Sequence, residues 1–110
     1  MAKGTMLAFS NPSSPDREAE YNEWYDGVHA HEVTSLPGVG GMKRFRAVAQ
    51  MNPPAEQPPH RYVSVYDLED IDVAMKAFGT AASTFNMSAA MDLQNAVVLV
   101  YEGIFTYGDK

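Results

Sequence analysis

Three side chains in the segment Tyr21 to Gly38, YNEWYDGVHAHEVTSLPG, combine types and spacings suited to proton transfer. Tyr25 and His29 stand four residues apart and His29 and Glu32 three apart, so on a helix their side chains meet. At about 100° per residue, Tyr21, Tyr25, Val28 and Glu32 fall within one narrow arc, with Trp24, His29, Ser35 and Leu36 on its flanks. The segment therefore reads as one amphipathic helix whose buried stripe contains a carboxylate. Burial of an unpaired charge is expensive, so such a group finds a partner or stays protonated with a raised pKa. Taken singly, His29 and Glu32 would be ordinary boundary residues; together they make a candidate acid-base site.

The surrounding sequence supplies the elements that hold this helix. Met6, Leu7, Ala8 and Phe9 lie in a short apolar run, Thr5 to Ser10, that stops at Asn11 and Pro12 as a buried strand would. Ser14 then precedes Pro15, with Asp16 and Glu18 behind it: a cap, a proline at the first helical position and acids at the positive end of the dipole. Pro37 and Gly38 end the helix. Met42 to Val48 alternates, with Phe45 and Ala47 opposite Arg44 and Arg46, as in a strand. Four prolines between Asn52 and His60 imply a stiff extended loop. In Arg61 to Leu68, Val63 and Val65 oppose Tyr62, Ser64 and Tyr66. Asp70 caps a second helix in which Ile71, Ala74, Met75 and Phe78 recur at helical spacing before Gly79, where an end is expected. Thr80 to Asp92, rich in alanine, serine and methionine, reads as a loosely packed helix or a mobile lid. Ala96 to Tyr107 is apolar on both faces, Val97, Leu99, Tyr101 and Phe105 opposite Val98, Val100 and Ile104, and is expected to be the longest strand.

The order strand, helix, strand, strand, helix, strand predicts an α+β, ferredoxin-like βαββαβ domain with a four-stranded antiparallel sheet. Its last strand would be a sheet edge and its helices would cover one face, so a homodimer that pairs two sheets is expected. The 110 residues fit one domain, 1–110. A net charge of -6 argues against nucleic acid and anionic membrane as partners. Cysteine is absent, which removes disulfides and thiolate metal sites. The first residues lack the apolar core of a signal peptide and no segment approaches transmembrane length, so a cytoplasmic protein is expected.

His29 and His31 point about 200° apart on a helix and cannot readily share a metal. His29 and Glu32 supply two ligands, with His60 as a third from the proline loop, but the spacing matches no established site, and no metal is expected. A serine triad, a phosphate-cradling loop and a dinucleotide fingerprint are absent, so no cofactor is expected by those routes.

Trp24, Tyr25, His29, Pro37 and Gly38, with the flanking strands, resemble the Trp-Tyr, His, Pro-Gly pattern of the dimeric α+β barrel superfamily, most closely its EthD-like or related small members. The resemblance extends over nearly the whole chain. It implies a homodimer with a cleft between helices and sheet for an apolar ligand, and cofactor-independent oxygenase, cyclase, isomerase or lyase chemistry. It further implies Trp24, Tyr25, Tyr62, Tyr66, Tyr101 and Phe105 as pocket walls, which alternation keeps from all facing one cavity. Arg44 and Arg46 share a strand face that could receive an anionic group. In this reading His29 is the general acid or base, Glu32 its orienting partner or second acid-base group, and Tyr25 a hydrogen-bond donor to a developing oxyanion. The alternatives are a non-catalytic ligand-binding or stress-associated barrel, and a haem protein using His29.

Overall fold

In the computed structural model, which describes residues 2–108, β1 (Gly4–Ser10) opens the fold and leads into a long helical run. That run comprises a 3-10 turn (Pro15–Arg17), α1 (Glu18–Trp24), a π-helical turn (Tyr25–His29) and α2 (Ala30–Thr34). β2 (Val39–Arg46) follows, then a small hairpin of β3 (Gln50–Met51) and β4 (Pro54–Ala55), β5 (Tyr62–Leu68), α3 (Ile71–Ala81) with a 3-10 extension (Ala82–Thr84), and β6 (Val97–Glu102). β2, β5, β1 and β6 form one antiparallel sheet in that order. The architecture is the ferredoxin-like α+β sheet that the sequence predicts, with the hairpin added inside the proline-rich connection.

Strand alternation decides what each sheet face carries. Met6 pairs with Tyr66 and Val100, and Ala8 with Ser64 and Val98, on the face that the helices cover. Leu7 pairs with Val65 and Leu99, and Phe9 with Val63 and Val97, on the other. The core lies on the helical side: Met6, Val33, Val39, Tyr66, Leu68 and Ala74 form one cluster, and Tyr21, Tyr25, Tyr62 and Ala90 another. Gly38 seats the turn after α2 at φ +83°, where a Cβ would lie 2.7 Å from the backbone nitrogen of Ala74. Glycine alone satisfies both conditions.

The long helix departs from its expected phase. Its buried residues are Tyr21, Tyr25, His29 and Val33, while Val28, expected in the stripe, is 37% exposed. Steps of four residues drift by about 40° each in a regular α-helix, so three such steps would spread these side chains over about 120°. The π turn, closed by the Ala30 N–H donating to the Tyr25 carbonyl, absorbs that drift and rotates His29 inward. Glu32 is thereby moved from mid-stripe to the border.

Other boundaries shift for local reasons. Ser14 occupies the cap position in extended conformation, but its side chain makes no capping bond. α3 continues through Gly79 to Ala81, because glycine is tolerated inside a helix at about 1 kcal/mol and Phe85, packed on Phe78 at 5.6 Å, draws the chain onward. Ile71, Ala74 and Phe78 pack toward the core, whereas Met75 is 54% exposed, so the buried stripe is narrower than its spacing implied. β6 has six residues and is not the longest strand; β2 has eight. β1, its partner, begins at Gly4 opposite Glu102, and beyond the Gly103 N–H bond to the Lys3 carbonyl the chain has no ladder to follow.

Candidate functional site

Between the helical run, the sheet and the segment after α3 lies a cavity of about 250 Å³. Met6, Ala8, Val33, Phe78, Phe85 and Val98 make its walls apolar, and Ser10, Tyr25, His29 and Tyr66 are its polar groups. The Ser10 hydroxyl is already bonded to that of Tyr21 at 2.6 Å. Tyr25, His29 and Tyr66 remain to meet a ligand.

His29 owes its place to the π turn and its orientation to its neighbours. Its ring stacks on Trp24 at 4.8 Å and meets the edges of Tyr25 and Phe85 at 5.0 and 5.4 Å. Its Nδ1 lies 3.4 Å from the Glu32 Oε1. Burial pushes the imidazole pKa below its ordinary value of 6.5, and the Glu32 carboxylate only partly opposes that shift. The ring is therefore neutral near pH 7. With the Nδ1–H donating to Glu32, the lone pair on Nε2 is left to accept a proton.

The Tyr25 and Tyr66 hydroxyls are 3.3 Å apart. Burial, reinforced by the neighbouring Tyr25, drives the Tyr66 phenol pKa well above its usual range, so that hydroxyl stays protonated and able to donate. The Arg44 guanidinium sits 4.4 Å from the Tyr25 ring centroid, on the same cluster as Tyr21 and Tyr62.

The segment following α3 closes the cavity, and Phe85, Met87 and Met91 line it. Two side chains from the long helix grip its backbone on either side of the Asn86 Cα. The Trp24 Nε1–H donates to the Asn86 carbonyl at 2.7 Å, and the Asn86 N–H donates to the Glu32 Oε2 at 2.7 Å. Farther along, the Ser13 N–H donates to the Ala90 carbonyl and the Asp92 N–H to the Asn11 carbonyl.

The structure thus brings Tyr25, His29 and Tyr66 to one cavity with Glu32 behind His29, and it places the other expected residues elsewhere. Trp24 supports the imidazole from outside the cavity wall. Tyr62 turns toward α1, bonding the Glu18 carboxylate and the Asn22 amide. Tyr101 pairs with Thr5 on the uncovered sheet face and is 53% exposed, and Phe105 lies beyond β6 and is 80% exposed. Neither is a wall of this cavity, because strand parity and the end of the ladder point them away. Arg44 bonds Asp26 and Asn22, at 2.6 and 2.9 Å, and lies against the tyrosine rings, with its buried Nε left without a partner among the described residues. Arg46 instead borders a separate groove with Phe9, Phe45 and His60, so the two arginines do not form one anion site. His60 bonds the Asn95 carbonyl and is not a third partner to His29 and Glu32. Among the described residues no three His, Cys, Asp or Glu side chains cluster as metal ligands. Phe85 and Asn86 escaped the sequence reading; the one available signal was that Phe85 is the sole aromatic between Phe78 and Tyr101.

The sequence matches no protein-family model and no curated protein significantly. Solved structures do match. An EthD family protein from Bacillus halodurans is 18% identical, with 94% of this chain and 100% of that one covered at a TM-score of 0.65. The heme-degrader MhuD of Mycobacterium tuberculosis, solved with two hemes in its active site, is 17% identical over 96% and 99% of the chains at 0.66. A candidate monooxygenase from Shewanella loihica is 13% identical over 96% and 97% at 0.65. At these identities the likeness establishes the fold: this chain has the fold of the EthD-like, dimeric α+β barrel proteins.

Proposed function

We propose that this protein is a homodimeric enzyme that takes a small apolar, aromatic or polyketide-like molecule into the cavity and withdraws a proton from it with His29. The observation that carries this reading is the position of His29, a buried neutral imidazole with Nδ1 tied to Glu32, on a mostly apolar wall beside the Tyr25 and Tyr66 hydroxyls. Tyr25 and Tyr66 are the donors for an oxygen of the substrate, because an anion formed next to a carbonyl places its charge there. Proton removal yields an electron-rich carbanion or enolate, and the substrate determines whether ring closure, isomerisation or reaction with dioxygen follows. The fold neighbours named as a monooxygenase candidate and an EthD family protein are consistent with that range.

A haem reading, raised by MhuD, meets a mismatch of size. The cavity of about 250 Å³ falls below the roughly 300–1,000 Å³ of ordinary ligand pockets. With the cover closed, that volume matches a small ring system better than a macrocycle.

The test uses 2-tetralone, a bicyclic ketone with acidic protons beside its carbonyl, in deuterated buffer. Exchange of those protons above the buffer rate, lost in a folded His29→Ala variant, is the expected result. Binding of 2-tetralone without accelerated exchange would favour the non-catalytic ligand-binding alternative, and a Soret band in the purified protein would favour haem.

A further inference from the structure

Trp24 and His29 are five residues apart, a separation that puts side chains about 140° from each other on a regular α-helix. The π turn brings them face to face instead, at 4.8 Å and 19° between planes. The opposite end of the indole is pinned by its N–H bond to the Asn86 carbonyl, so the ring cannot swing away. An indole face is the most favourable aromatic surface for a cation. His29 becomes a cation only after it has taken a proton.

We propose that Trp24 is a positioning residue for the proton transfer, acting through His29: its indole face fixes the imidazole plane and stabilises the imidazolium formed as the proton arrives. The proposal rests on the reading of His29 as the base. Burial favours the neutral ring before reaction but penalises the charged ring afterwards. Glu32 compensates in the ring plane through Nδ1, and Trp24 compensates on the face. The other ionisable groups on the cavity wall are the Tyr25 and Tyr66 phenols, which carry no positive charge to oppose this. Trp24 itself does not line the cavity, so with its N–H bond to the Asn86 carbonyl kept, the indole face contributes to the chemical step and not to ligand binding.

Because Trp24 is the only tryptophan, biosynthetic replacement with 5-fluoro- or 5,6,7-trifluorotryptophan alters this face alone while keeping the indole N–H. The His29 titration midpoint, read by long-range proton–nitrogen NMR without ligand, should fall stepwise with fluorination, by roughly half to one pH unit for the trifluoro ring. Among side-chain variants, Trp24→Phe should keep a higher midpoint than Trp24→Leu. The fluorinated forms, which keep the N–H bond to Asn86, should lower the maximal rate of 2-tetralone exchange severalfold with the half-saturating concentration unchanged; Trp24→Phe and Trp24→Leu also cut that bond and are read by the midpoint alone. A midpoint identical in all the indole forms would overturn the proposal, as would a change confined to the half-saturating concentration. The absence of 2-tetralone exchange in the unmodified protein would count against the base reading instead, and the NMR midpoint separates the two failures.

Discussion

The hydroxyls of Tyr25 and Tyr66 stand 3.3 Å apart on the cavity wall, joined across 41 positions of sequence by the packing of the π turn on β5. One hydroxyl must donate to the other or turn its proton toward a ligand, so the pair can present a donor without leaving an oxygen bare. Their nearness to His29 makes a three-point receptor: a base for a proton and two phenols for an oxygen.

Tyr25→Phe is expected to lower the maximal rate of 2-tetralone exchange by about 10²-fold, the loss typical of one oxyanion donor, with a smaller effect on affinity. Tyr66→Phe should act in the same direction and also cost about 1–3 kcal/mol of stability, since Tyr66 is 1% exposed and its partner loses a bond. Steady-state kinetics and urea denaturation measure the two quantities. Unchanged kinetics in both variants would remove the pair from the mechanism.

Glu32 bonds His29 through one oxygen and the Asn86 peptide through the other, so Glu32→Gln tests its charge with little change of shape. The carboxylate raises the His29 pKa against the larger effect of burial, so its neutralisation should lower the midpoint further. Most activity should be lost in either His29→Ala or Glu32→Gln, and the double variant should be scarcely worse than the singles. Additive losses would mean that the two residues act independently.

The same shift gives stability a pH dependence of definite sign. The folded state holds His29 at a lowered pKa, so the unfolded chain binds the proton more readily once pH falls below about 6.5. The stability contribution is complete above that pH and is lost as pH falls toward the folded midpoint. Melting temperature should therefore decline less between pH 7.5 and 5.5 in His29→Gln than in the native protein. Parallel declines would place the sensitivity in other groups.

The contrast between what was legible and what was not follows from the range of the interactions. Strand parity is local: the alternation of Val63 and Val65 against Tyr62, Ser64 and Tyr66 appears in the structure as written. The Asp70 cap is equally local, its Oδ1 accepting the Val73 N–H at 3.2 Å. The spacing of Tyr25, His29 and Glu32 also suffices to bring them together, because neighbours one turn apart meet in either helical geometry. Helix phase is different. A π turn replaces one hydrogen-bond pattern with another, and no residue type in YDGVH announces it, so regular periodicity turns Val28 inward where the structure buries Val33. Phe85 and Asn86 reach the site from more than fifty positions away, a contact that helical periodicity cannot encode.

Homodimer formation is expected from the uncovered sheet face. Leu99 and Tyr101 on that face, and Ile104 and Phe105 beyond it, are exposed in a single chain, apolar surface that a second copy would cover. Light scattering should give the mass of two chains at micromolar concentration. Leu99→Asp should yield aggregated or unfolded protein, since it places a carboxylate in an apolar interface. A folded, soluble monomer of the native sequence would defeat the expectation.

The segment after α3 is expected to open as a cover with fixed ends. Its tethers are specific: the Asn86 carbonyl to Trp24 and the Asn86 N–H to Glu32, and the backbones of Ala90 and Asp92 to Ser13 and Asn11. Between them, Met87 and the residues to Ala89 bury little area, while the methionine can repack around a guest. Hydrogen exchange should accordingly be fastest at 87–89, slower at Asn86 and Ala90, and slowest in β1 and β5, which are paired on both sides. Addition of 2-tetralone should slow exchange at 86–91 and leave the strands unchanged, because a guest held by the cover binds only the closed form. Protection at 87–89 equal to that of β5, with no response to the ligand, would make the segment a fixed wall and leave entry to the cavity to some other movement.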